Sequence, residues 1–255
     1  MLRAWEPFPN LQELSIPLYN LTFSYILDMK YMQWENRFRH DTLTTINIHF
    51  PPYIDGELSV HLFFRTVIVP ALKSLTVICP RNATVEGVSG CGRPYPSGPW
   101  DSDALEDMIQ RSGCQIEHLE LVNIFVYEID IKKTLQVLPD LTHLTFYELG
   151  DNEYLVQSTT RLLACLTEGE QTDAPRLREL GIAFAFPDYT DEEHAEGDKW
   201  LAQRVIDMAQ ARAERKLPKL KMTIRIGRPL LRSTREILAE IDKEGIGELI
   251  VLVEP

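Results

Sequence analysis

Several common functional signatures are missing from this sequence, and each absence excludes something. No apolar run approaches the ~18 residues of a membrane helix, and the start, Met1-Leu2-Arg3-Ala4-Trp5-Glu6-Pro7, lacks the apolar core of a secretory signal. The expectation is a protein inside the cell, cytoplasmic or nuclear, with no membrane partner. The sequons Asn20-Leu21-Thr22 and Asn82-Ala83-Thr84 matter only in a secreted chain. Cysteine is scarce: Cys79, Cys91, Cys114 and Cys165 lie 12, 23 and 51 positions apart, which suits neither a C-x-x-C metal site nor a dense disulfide framework. Reduced structural thiols are expected. There is no G-x-S-x-G elbow, H-E-x-x-H helix or Walker loop, so we expect no enzyme, no metal and no cofactor. Lysine and arginine (26) are outnumbered by aspartate and glutamate (38), and a net charge of −12 repels a phosphate backbone, which disfavours nucleic acid.

What the sequence does contain is a repeated phrase. Ile116-Glu117-His118-Leu119-Glu120-Leu121 and Leu141-Thr142-His143-Leu144-Thr145-Phe146 both place apolar residues at positions 1, 4 and 6. Positions 4 and 6 then share one face of a short strand, and the intervening chain must return to start the next parallel strand. This is the phrase of a leucine-rich repeat. It recurs from starts at Leu11, Leu43, Leu72, Ile116, Leu141, Leu177 and Leu220, separated by 32, 29, 44, 25, 36 and 43 residues. Those intervals are long and uneven against the usual period of roughly 20 to 29 residues. Position 9 is not asparagine in the first six copies, so the asparagine ladder of regular arrays is absent.

The expected fold is an α/β leucine-rich-repeat solenoid, or horseshoe, with a parallel sheet on the concave side and helices and irregular turns on the convex side. A single irregular array of about seven repeats covers residues 1–255 and ends in a terminal strand at Leu249-Ile250-Val251-Leu252-Val253, an apolar run that suits coverage on both faces. Helical segments are expected within 23–38 and 57–69. Asp103-Ala104-Leu105-Glu106 reads as a capped start running to Gly113, and further helices fall at 129–138, 152–167, 197–216 and 231–243. Residues 80–100, rich in glycine and proline, read as an inserted loop. Its G-x-x-G-x-G cluster has no following lysine or helix start, which argues against a phosphate loop. A hydrolase built on that loop around Cys91 is a distant third reading. Residues 187–198 read as an acidic loop, and a basic run follows from Arg204 to Arg235.

Some features go further. Proline precedes the phrase in Leu138-Pro139-Asp140-Leu141 and Ala174-Pro175-Arg176-Leu177. Arg111-Ser112-Gly113-Cys114, Arg161-Leu162-Leu163-Ala164-Cys165-Leu166-Thr167 and Lys243-Glu244-Gly245-Ile246 flank other strands. Together these resemble the irregular leucine-rich-repeat region of F-box proteins from mushroom-forming fungi, over about residues 8 to 255. The resemblance implies a non-catalytic substrate receptor of a cullin-RING ubiquitin ligase. The F-box itself has no counterpart before Leu11, so a ligase adaptor is an expected partner only if an F-box lies upstream. The alternative is a free-standing scaffold or inhibitor that acts by occlusion.

Positions 3 and 5 of each phrase alternate away from the core and should line the concave face. They are Glu13 and Ser15, Thr45 and Asn47, Ser74 and Thr76, His118 and Glu120, His143 and Thr145, Glu179 and Gly181, and Thr223 and Arg225 in the seventh strand, whose register is shifted. Of these, Thr45, Asn47, Ser74, Thr76, His118, Glu120, His143, Thr145, Glu179, Thr223 and Arg225 are the candidate contacts for a protein partner. A merely solvated sheet face accounts for the same residues. The basic run could hold an acidic or phosphorylated peptide, or could simply balance the acidic loop through Arg204, Arg212 and Arg215 on a polar helix face.

Overall fold

The computed structural model describes residues 8–17, 38–49, 56–79, 100–124, 126–148, 153–168, 174–184, 191–226 and 232–253. In chain order the strands are β1 (Glu13–Pro17), β2 (Phe38–Arg39), β3 (Thr45–His49), β4 (Val67–Ile68), β5 (Ser74–Ile78), β6 (His118–Val122), β7 (His143–Glu148), β8 (Glu179–Phe184), β9 (Leu220–Ile226) and β10 (Gly247–Val253). The helices are α1 (Gly56–Thr66), α2 (Ser102–Ser112), α3 (Glu128–Val137), α4 (Glu153–Glu168), α5 (Asp191–Glu214) and α6 (Arg232–Lys243). Eight strands form one sheet in the order β1-β3-β5-β6-β7-β8-β9-β10, every pair parallel, while β2 and β4 form a small parallel pair of their own. Among the described residues the fold is α/β with an open parallel sheet and no closed barrel.

A turn of fixed chemistry starts four of these strands. The amides of Leu11, Leu72, Leu141 and Leu177 donate to the carbonyls of Phe8, Val69, Leu138 and Ala174 at 3.0 to 3.2 Å. The second residue of each turn is proline, Pro9, Pro70, Pro139 or Pro175, whose locked φ presets that corner. The chain then enters the sheet through shared carbonyls. Those of Gln12, Thr44, Lys73, Glu117 and Thr142 each accept two successive amides from the next strand. The turn sets where a strand begins, and the shared carbonyl sets its register.

Alternation does the rest. Leu14, Ile46, Leu75, Leu119, Leu144, Leu180, Met222 and Leu249 pair in register across the sheet, as do Ile16, Ile48, Val77, Leu121, Phe146, Ile182, Ile224 and Val251. Both ladders belong to one core cluster, joined by side chains from all six helices, among them Phe64, Leu105, Leu135, Leu163, Val205 and Ile241. Each buried leucine or isoleucine contributes about 1.5–3 kcal/mol by leaving water. Two buried polar contacts lie within this layer: Trp100 Nε1 donates to Thr134 Oγ1 at 2.8 Å, and Val69 N donates to Ser112 Oγ at 3.0 Å.

Five expectations are corrected. The cap of α2 is Asp101 rather than Asp103: its carboxylate accepts from Ala104 N at 2.9 Å, and the helix begins two residues before the expected Ala104. Burial opposes charge on Asp101, but that amide and the neighbouring His61 outweigh it and hold the carboxyl below its usual range. Residues 191–198 of the expected acidic loop are the opening turns of α5, since acidic side chains suit the positive end of a helix dipole; 187–190 lie outside the described residues. On the same helix Trp200 is exposed (40 %), with the Arg204 guanidinium over its ring at 5.4 Å. Arg212, expected on a polar outer face, is buried. Its Nη2 donates to the Leu177 carbonyl at 3.0 Å, and burial beside Arg215 pulls its pKa down to about 10. Finally, β10 is not covered on both faces, for Leu252 is 42 % exposed. The expected helical stretch 57–69 also ends at Thr66, giving way to β4. The insertion at 80–99 and most of 23–38 lie outside the described residues.

Candidate partner-binding face of the sheet

Side chains that alternate with the core ladders form rows on the opposite face. The first row runs Glu13, Thr45, Ser74, His118, His143, Glu179, Lys221, Glu248, and the second Ser15, Asn47, Thr76, Glu120, Thr145, Gly181, Thr223, Ile250. Adjacent members stand about 4.8 Å apart by strand spacing. All-parallel sheets are ordinarily covered on both faces. Among the described residues all six helices pack on the apolar side and none on the other, and the first two rows are exposed or half-buried except at Gly181.

The middle of the first row is its most organised part. The His118 and His143 rings stack with centroids 4.1 Å apart and planes 7° from parallel. Behind them, Thr142 Oγ1 donates to the Glu117 carbonyl at 3.0 Å and lies 2.8 Å from His143 Nδ1, so with that donation its oxygen accepts from the Nδ1 hydrogen. His143 Nε2 is then 3.4 Å from Glu179 Oε1, a contact that becomes an ion pair when the ring carries both protons. Desolvation of His118 in the stack, joined by repulsion from a charged His143, lowers its pKa below the ordinary histidine value. Glu117 is held below the usual carboxylate range by Lys73, whose Nζ donates to Oε1 at 2.7 Å. Neighbouring contacts order the second row: Asn47 Nδ2 donates to Glu13 Oε1 at 3.0 Å, and Thr76 Oγ1 donates to Glu120 Oε2 at 3.4 Å.

The structure brings Thr45, Asn47, Ser74, Thr76, His118, Glu120, His143, Thr145, Glu179 and Thr223 onto the first two rows. Arg225 stands one row further along, because Met222 pairs with Leu180 and Ile224 with Ile182. Lys221, not Thr223, therefore occupies position 3 of the seventh strand, and pattern reading missed it. The signal was present: alternation through Met222, Ile224 and Ile226 puts Lys221 on the same face as Thr223.

A third row, Ile78, Val122, Tyr147, Ala183 and Arg225, was also missed, since the phrase stops at position 6. Val122, Tyr147 and Ala183 are buried there as a small second apolar cluster, and the Arg225 guanidinium lies 4.5 Å from the Tyr147 ring centre. Gly181 permits that arrangement. A Cβ at this position would come within 3.1 Å of Thr145 Oγ1 and 3.2 Å of the Tyr147 hydroxyl.

Among the described residues, no group of three or more His, Cys, Asp or Glu side chains is placed to hold a metal ion, and no helix is long and apolar enough to cross a membrane. The buried Cys114 thiol is pushed up to about 11, which keeps it protonated and unreactive at neutral pH. No family model matches the chain, and no curated protein matches it.

Proposed function

We propose that the chain is a leucine-rich-repeat horseshoe that recognises a protein partner with its helix-free sheet face and performs no chemistry. The observation that carries this reading is a parallel sheet apolar and packed on one side, with two rows of mostly polar, varied side chains on the other. Such rows offer donors and acceptors at a fixed spacing of about 4.8 Å on a rigid support, which suits recognition of an extended surface. The His118–His143–Glu179 group is the centre of the contact. Partner binding through Thr45, Asn47, Ser74, Thr76, His118, Glu120, His143, Thr145, Glu179, Thr223 and Arg225 follows from their places on this face.

The resemblance to the repeat region of F-box proteins supports a more specific reading, that of a substrate receptor for a cullin-RING ubiquitin ligase. A photo-crosslinking residue placed at Thr145 in the full chain should trap a partner in cells, while one at Gln110 on the exposed side of α2 should not. Equal trapping at both positions, or at neither, would sink the reading. Co-purification of the ligase adaptor with the crosslinked complex separates the receptor from a free-standing scaffold or inhibitor, which would bring its partner alone.

A further inference from the structure

Cations are the minority charge in this chain, 26 against 38 acids, and most of those described are partnered. Arg39, Lys73, Lys133, Arg176 and Lys243 pair with carboxylates. Arg111, Arg212 and Arg215 donate to the carbonyls of Phe64, Leu177 and Thr167. Arg204 and Arg225 lie over aromatic rings. Among the described cations without an ion pair, Lys132, Lys199 and Arg235 stand on helices and Lys216 lies just beyond α5, whereas Arg178, Lys219 and Lys221 are gathered in one place. Among the described residues none of the three has a carboxylate within 4 Å, and all three line one hollow of about 460 Å³ at the N-terminal ends of β8, β9 and β10.

Two acids line the same hollow, and neither forms an ion pair with these three cations. Glu179 is turned toward His143, 3.4 Å away, and Glu248, the other cross-strand neighbour of Lys221, forms no ion pair with it. Lys219 projects toward Gly245, where a Cβ would stand 3.7 Å from its Nζ. Gly245 closes the C-terminal end of α6 in the left-handed region (φ +66°), and the negative end of that helix favours a cation there. The first-row residues Glu179, Lys221 and Glu248 run directly into the hollow, so a ligand on the helix-free face reaches it without leaving the sheet.

We infer that this hollow seats a carboxylate-rich segment of the protein partner, with Arg178, Lys219 and Lys221 as its charge contacts. This rests on the partner-recognition reading above and adds to it the chemistry of one end of the partner. The arginine offers a two-pronged hold on a carboxylate and the lysines act as point charges. A chain of net charge −12 repels polyanions as a whole, so any anionic peptide it holds must be held by a local field.

The test uses the full-length chain and a fluorescein-labelled octaglutamate peptide at low ionic strength, with the octaglutamine peptide as its uncharged counterpart. Octaglutamate binds and octaglutamine does not. Lys219→Glu with Lys221→Glu weakens binding about tenfold or more, whereas Lys132→Glu with Lys199→Glu, an equal charge change on exposed helix positions, shifts it by about twofold or less. Lys219→Gln with Lys221→Gln, milder for folding, gives an intermediate loss with an unchanged melting temperature. No binding of octaglutamate, or equal loss in the two charge-reversed variants, overturns the inference. So does tighter binding of an arginine–serine repeat peptide. Crosslinking from Thr145 that survives such a failure would show that the recognition reading stands and only the acidic segment is wrong.

Discussion

The same strands present two chemically opposite faces, and the contrast is sharpest between neighbours in sequence. Leu119 belongs to a ladder of leucine, isoleucine and methionine that crosses the whole sheet, while Glu120, one residue on, belongs to a row containing serine, asparagine, threonine, glutamate, glycine and isoleucine. The packed face is monotonous because close packing with the helices accepts only apolar side chains of suitable volume. Among the described residues no helix meets the other face, so the fold places few demands on it and its residues are free to differ. Variety on a rigid support is what a recognition surface needs, and monotony is what a core needs.

The contrast breaks first if the packed face tolerates truncation. Leu119→Ala should cost about 2–5 kcal/mol, read as a fall in the chemical-denaturation midpoint, because the site is enclosed by strand and helix side chains. Next comes polar pairing. Thr134→Val leaves the buried Trp100 Nε1 hydrogen without its acceptor and should cost about 1–3 kcal/mol, whereas Asn47→Ala, which removes a solvent-side bond to Glu13, should cost about 0.5 kcal/mol or less.

A smaller effect concerns pH. The pKa of His118 is lowered on folding from 6.5, so the unfolded chain binds its proton more readily. The contribution to stability is therefore complete above pH 6.5 and is lost as pH falls through the lower folded value. Melting temperatures compared from about pH 7.5 to about pH 5 should show this loss, and His118→Gln should flatten the same interval. Equal slopes in the two proteins would mean that the stack has no cost on protonation. Smallest of all, Glu120→Ala should change stability by about 0.5 kcal/mol or less, the mirror image of its neighbour Leu119. A large loss there would mean that the helix-free face also holds the fold together.

Much of the architecture was legible in advance because its signals are local. Proline at the second turn position and apolar residues at positions 1, 4 and 6 mark where Leu11, Leu72, Leu141 and Leu177 open their strands. Alternation then assigns His118, Glu120, His143 and Thr145 to one face without reference to any other strand. The errors came where a choice depended on distant residues. Asp101 and Asp103 are both plausible caps by type, and the nearby His61 favours charge on the one that is used. Arg212 left the expected polar face because α5 turns toward the sheet the side that lets its guanidinium reach the Leu177 carbonyl.

Period-two alternation and the proline turns were enough to place the eight strands of the main sheet, the side of it that each side chain takes, and their parallel sense, but not the short β2 and β4. They say nothing about alignment between strands separated by 25 to 44 residues of uneven chain. Only the folded sheet, through carbonyls shared between neighbouring strands, stacked the His118 and His143 rings, set Lys221 beside Glu179, and gathered Arg178, Lys219 and Lys221 around one hollow. The reason is physical: a residue's face is a property of its own backbone, whereas its neighbours depend on register, and register is a property of pairs of strands.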